Sequence, residues 1–134
     1  MSNDHVASPE QKAANDELLR VLYDDVEFDD QLALVGGKPF TGVIFALHPG
    51  GQPEAELNYR EGLPEGLQQE WYANGQLERK WIAVRGKGSS EAHEWYVDGA
   101  PKSFRRNIDL WPVEIKEWDG HGNLVVDERR SPPN

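Results

Sequence analysis

The residues best placed to do chemistry are carboxylates. Glu70, Glu94 and Glu117 each stand directly before a tryptophan, at intervals of 24 and 23. A paired-carboxylate mechanism needs one acid with a raised pKa inside a closed cleft. The alternating sequence around them describes a thin sheet, which offers no deep pocket. They read instead as a stripe of surface carboxylates, with Tyr72 and Tyr96 beside it, that could meet a partner.

A second acidic group is Asp24, Asp25, Glu27, Asp29 and Asp30. Asp25, Glu27 and Asp29 are spaced like the start of a calcium loop. The sixth position is Asp30 rather than glycine and the twelfth is Gly36 rather than Glu, so that reading fails. The segment reads as exposed acid, able to steer a basic partner. His5, His48, His93 and His121 form no HxH or HExxH spacing, and there is no cysteine. A zinc site needs three or four convergent ligands, so no metal site is expected. Gly36-Gly37-Lys38 lacks the Walker spacing and a following helix, and reads as a turn. Local sequence suggests no Ser–His–Asp arrangement. The expectation is a non-enzymatic protein with no catalytic residue and no cofactor.

What must position these residues is a repeat. Glu70-Trp71-Tyr72-Ala73-Asn74-Gly75 returns as Glu94-Trp95-Tyr96-Val97-Asp98-Gly99 and, worn, as Glu117-Trp118-Asp119-Gly120-His121-Gly122. Ala46-Leu47-His48-Pro49-Gly50-Gly51 is an earlier copy. Gly51, Gly75, Gly99 and Gly122 are spaced by 24, 24 and 23, the mark of a repeat architecture. Asn-Gly and Asp-Gly between alternating aromatics predict type I′ hairpins. Gly62 and Gly86, each eleven residues further on, predict the ends of the returning strands. With Asn74-Gly75 as the turn, Tyr72 should oppose Leu77, Glu70 should oppose Arg79 and Gln68 should oppose Trp81. Trp71, Trp95 and Trp118 fall on the other face and are the expected core, because an indole buries so much apolar area.

The pattern resembles the MORN-repeat variants, in particular the YwqK-like antitoxin family. The resemblance rests on Gly37-Lys38-Pro39-Phe40-Thr41-Gly42, on Tyr59 to Gly62, on Gly66 and on the Glu-Trp-Tyr-x-Asn/Asp-Gly units, and covers about Leu34 to Val126. The third repeat departs from the pattern: Leu110 replaces the strand-ending glycine, and Ser90 stands where Gly42 and Gly66 stood. The resemblance implies a toxin-neutralising role by direct contact. A MORN-like scaffold or adaptor without a toxin partner is the alternative.

The expected fold is mainly β: repeated antiparallel hairpins of period about 24, forming an extended or curled single sheet with one N-terminal α-helix. Residues 1–7 read as disordered. Residues 8–33 read as a capping helix and the acidic segment, 34–128 as the hairpin domain and 129–134 as a tail. Ser8 as N-cap, Pro9 at the first helical position and Gln11 closing a capping box start the helix. Ala14, Leu18, Val21 and Leu22 carry its apolar face to about Leu22, where it would cover an open sheet edge.

Charge narrows the partner. The chain carries −10, and residues 1–30 hold nine acids against Lys12 and Arg20. Phosphate binding calls for a basic patch, so no direct nucleic-acid contact is expected. The negative charge also opposes docking on anionic lipid. No apolar run is long enough for a membrane span or a signal-peptide core, which gives the expectation of a cytoplasmic protein. A protein partner, basic in character and in the toxin class by resemblance, is the expectation that remains.

Overall fold

The four Gly-centred copies do form hairpins. A computed structural model describes residues 19–85 and 88–133. The strands are β1 (Arg20–Leu22), β2 (Glu27–Asp29), β3 (Leu32–Val35), β4 (Lys38–Pro39), β5 (Gly42–Leu47), β6 (Pro53–Arg60), β7 (Leu63–Trp71), β8 (Leu77–Ala83), β9 (Ser89–Trp95), β10 (Pro101–Ile108), β11 (Trp111–Trp118) and β12 (Leu124–Arg129). The large sheet has nine strands in the order β1-β5-β6-β7-β8-β9-β10-β11-β12, and β2-β3-β4 form a second, small sheet. From β5 to β12 the large sheet is an antiparallel meander.

The expected N-terminal helix is overturned. No α-helix occurs among the described residues, and Ser8 to Leu18 lie outside them. Arg20–Leu22, the expected last turn of that helix, is instead β1. It pairs in parallel with β5 through Arg20↔Val43, Val21↔Ile44 and Leu22↔Phe45. The need to cover the β5 edge is met by a strand, whose backbone satisfies the open ladder directly. Gly42 makes this possible, since a Cβ there would run into the Leu19 carbonyl oxygen. The sheet is therefore mixed, and it is not single. The chain makes one 3-10 turn at Tyr23–Asp25 and then folds back as the small sheet. That sheet is tied to the Gly62 turn by Ala33 N–H to Gly62 O (2.8 Å) and Gly62 N–H to Phe40 O (2.8 Å).

The repeated turn differs in type from the sequence expectation. Gly75 N–H donates to Tyr72 O at 3.0 Å, and Tyr72 N–H donates to Gln76 O at 2.9 Å. Of Asn74 and Gly75, only Gly75 has positive φ, +89°. This is a three-residue loop, a type I turn closed by a left-handed glycine, rather than type I′. The cause is the Asn74 side chain, whose Oδ1 accepts the Gln76 N–H at 2.9 Å and holds the turn; Asp98 does the same for Ala100 at 2.9 Å. In the large sheet the two-residue turns with both φ positive lie at the other end of the hairpins. They are Glu61-Gly62 (50° and 83°) and Asp109-Leu110 (50° and 71°).

Each Gly turn is followed by a bulge. Pairing steps from Trp71↔Leu77 to Glu70↔Arg79, leaving Glu78 as the extra residue. Glu54, Lys102 and Val125 are the extra residues of the other three hairpins. The expected pairs Glu70–Arg79 and Gln68–Trp81 form, while Leu77 faces Trp71 instead of Tyr72.

Alternation then gives two faces. One carries Ile44, Ala55, Gln68, Glu70, Arg79, Glu94 and Glu117; the other carries Trp71, Trp95, Trp118, Phe45 and Phe104. The three tryptophans share a face as expected, but they are half-buried, and the core lies opposite. Ile44, Ala55 and Gln68 are buried there. Gln68, 1% exposed, is fully used: its Oε1 accepts Asn58 N–H (2.7 Å) and its Nε2 donates to Asn58 O (2.8 Å), closing the irregular pairing at Asn58.

Candidate functional site

The lateral row of the core-side face holds the carboxylates. Reading across paired residues from β6 to β11 gives Ala55, Glu70, Arg79, Glu94, Ser103 and Glu117. Glu70, Glu94 and Glu117 thus stand in register on one face, as the repeat implied. The stripe is not uniformly acidic. Arg79 lies between Glu70 (3.6 Å) and Glu94 (3.2 Å), and its guanidinium covers the Trp81 ring at 4.4 Å. Ser103 Oγ donates to Glu94 at 2.9 Å. Glu117 is exposed and has no ion pair among the described residues.

Tyr72 and Tyr96 are on the same side, but their hydroxyls are engaged. Tyr72 OH donates to Trp95 O at 2.7 Å and Tyr96 OH to Trp118 O at 2.8 Å. What they leave for a partner is ring surface; Lys102 Nζ lies 5.6 Å from the Tyr96 ring centroid. A groove of about 460 Å³ opens here, lined by Tyr96, Glu94, Glu117, Arg105, Lys102 and Ile115 among others. Three of the sequence-chosen residues therefore meet in one open groove.

The second acidic group lies at the other end of the face. Asp24, Asp25, Glu27, Asp29 and Asp30 are all exposed. Asp24 and Asp25 belong to the 3-10 turn, Glu27 and Asp29 to β2, and Asp30 to the β2–β3 turn with φ +54°. Tyr23, the residue before them, lines a pocket of about 290 Å³ with Ala46, Ala55, Glu54, Glu70 and Glu78. The acidic segment and the carboxylate row thus meet at Tyr23. Burial raises the Glu70 carboxyl above its usual range; Arg79 pulls it down, and Glu78 and Glu54 push it up again. Burial, and then the Tyr23 phenol, raises Tyr59 in the same region.

Sequence reasoning missed Glu54, Glu78 and Lys102. Each stands three residues after its turn glycine, so the repeat alignment held the signal. Their role depends on the bulge, which turns an apparently alternating position toward the other side. Arg105, in the neighbouring row between Ala92 and Ile115, was also missed, while Arg79, expected opposite Glu70, divides the carboxylate row into mixed charge. Among the described residues no group of three His, Cys, Asp or Glu is arranged to hold a metal ion. No helix among them is long and apolar enough to cross a membrane.

Comparisons with protein-family models, with curated proteins and with solved structures return no match.

Proposed function

We propose that this chain is a protein-binding module that neutralises a basic toxin domain by direct contact. The observation that carries the reading is the core-side face. It presents an acidic pocket at Glu54, Glu70 and Glu78, and further along a mixed-charge groove edged by Tyr96, where Glu94 and Glu117 stand with Arg79, Lys102 and Arg105. The exposed acids from Asp24 to Asp30 extend the first of these. The acidic pocket and segment raise the encounter rate with a cationic partner and reject anionic ones, while the mixed charges of the groove can fix its orientation. Aromatic rings beside the carboxylates supply apolar contact area at low entropic cost. The toxin class comes from the resemblance to YwqK-like antitoxins; the geometry supports protein recognition of a cationic surface.

The test is co-purification with the C-terminal domain of the protein encoded beside this chain, at low and high salt. Glu117→Lys and the combined Asp24→Lys/Asp25→Lys variant should each weaken that complex at least tenfold while circular dichroism is unchanged. Unaltered affinity in both variants, or no complex at low salt, overturns the proposal.

A further inference from the structure

The tryptophan face carries a separate message. At the Gly-turn end its paired residues are Leu47↔Pro53, Trp71↔Leu77, Trp95↔Pro101 and Trp118↔Leu124. Every strand from β5 to β12 contributes an apolar side chain to this one row. Among the described residues, the main packing partners of each large-sheet strand are its sheet neighbours, apart from the 3-10 turn on β5. The row accordingly stays open: Leu47 is 48% exposed and Leu124 46%. Isolated exposed leucines mean little, but a continuous apolar row across eight strands marks an interaction surface.

We infer that this face packs against the same face of a second copy, so that two open sheets close into a sandwich. Two features select a second copy. The first is size. Eight strands at about 4.8 Å spacing and six residues long cover roughly 34 by 20 Å, or about 700 Å². That is close to the roughly 800 Å² each partner buries in a stable interface. The second is charge. A chain of −10 repels itself over most of its surface. On this face acids and bases nearly balance: Glu56, Glu91, Glu114 and Asp127 stand among Arg20, Lys80, Arg106, Lys116 and Arg129, with Glu114 close to Arg106 (3.5 Å), Lys116 (3.9 Å) and Arg129 (3.5 Å) and Glu56 to Arg20 (3.3 Å). A near-neutral face with an apolar row along one end suits an isologous two-fold contact better than a strongly cationic partner. Packed about 10 Å apart, the two sheets bury the tryptophan rows together and leave both carboxylate faces outward. The inference is independent of what those outer faces bind.

Sedimentation of the full chain from 1 to 100 µM tests it. The expected mass is about twice 15.2 kDa at the upper end, and 0.5 M NaCl should not weaken the association. Leu47→Lys and Leu124→Lys replace exposed side chains, so the monomer should keep its sheet; together they should raise the dimer Kd at least a hundredfold. Glu117→Lys, on the opposite face, should leave it unchanged. Acrylamide quenching of tryptophan fluorescence should rise on dilution, which reports the interface in the parent chain without any variant. A parent that stays monomeric at 100 µM, or a double variant that dimerises like the parent, overturns the inference. So does quenching that is independent of concentration, the result expected if other residues of the same chain cover the face.

Discussion

The Tyr72 hydroxyl donates to the Trp95 carbonyl oxygen at 2.7 Å, joining one hairpin to the next. The β8–β9 ladder stops at Arg79↔Glu94, because the bulge at Glu78 takes the backbone away from Trp95. The phenol supplies a donor at the point where the ladder stops. Tyr96 does the same for Trp118 at 2.8 Å, and His48 Nε2 donates to Trp71 O at 2.8 Å. The same position thus fastens three successive hairpins. In the last copy it is Asp119, which turns back on its own turn and accepts His121 and Asn123 N–H groups, each at 2.9 Å. The fourth copy therefore presents no side-chain donor of this kind.

Removing one fastening should be measurable. Tyr72→Phe keeps the ring and deletes the donor. It should cost about 1 kcal/mol, the usual net value of one hydrogen bond. Tyr96→Phe should cost a similar amount. Urea denaturation of the two single variants and the double variant checks this, and near-additivity is expected because each phenol serves a different junction.

Leu110 is held at φ +71° without being glycine. It is 70% exposed, so its side chain gains little in return. The left-handed conformation costs an L-residue about 1–2 kcal/mol, partly offset by the larger unfolded-state entropy of glycine. Leu110→Gly should therefore stabilise the fold by roughly 0.5–1 kcal/mol. The reverse change, Gly75→Ala at φ +89°, should destabilise by about 1 kcal/mol. Chemical denaturation reads both.

Gln68 should resist replacement by an apolar residue of similar size. Gln68→Leu leaves the Asn58 N–H without its 2.7 Å acceptor inside the fold. An orphaned buried donor costs about 1–3 kcal/mol, more than the added methyl groups return here. Hydrogen exchange at Asn58 should become faster in this variant, and the urea midpoint should fall.

Acid should act oppositely on two carboxylates. Backbone N–H groups of Asn123 and His121 lower the Asp119 pKa. Its contribution is present above the unfolded value, about 4, and is lost as pH falls through the lower folded value. Glu70 is raised, first by burial. The folded state holds its proton more tightly, so its contribution is full below the unfolded value of about 4.3 and is lost as pH rises through the folded value. Carboxyl-carbon NMR titration should place Asp119 below and Glu70 above their ordinary ranges. In Asp119→Asn the loss of stability at low pH should be smaller.

Much of this protein was legible because its information is local. Gly51, Gly75, Gly99 and Gly122 mark the turns, and alternation around them assigned Glu70, Glu94 and Glu117 to one face and Trp71, Trp95 and Trp118 to the other. A turn needs only a few neighbouring residues to specify it, so spacing alone carried that far. Other features depended on contacts between distant segments. Ser8, Pro9 and Gln11 read as a helix start because capping signals are local too, yet Arg20–Leu22 joined the β5 edge, where an open ladder and the room left by Gly42 outweighed helical periodicity. Which face became the core was likewise decided in three dimensions. The Tyr23 turn packs on β5 and lines a pocket on the carboxylate face, where Ile44 and Gln68 are buried, while the tryptophans opposite are left half-exposed. The bulge at Glu78 changed what Leu77 opposes, and with it gave Tyr72 a carbonyl to bind. A single extra residue in a strand reverses the side on which its neighbours stand, and only pairing with the adjacent strand fixes where that residue falls.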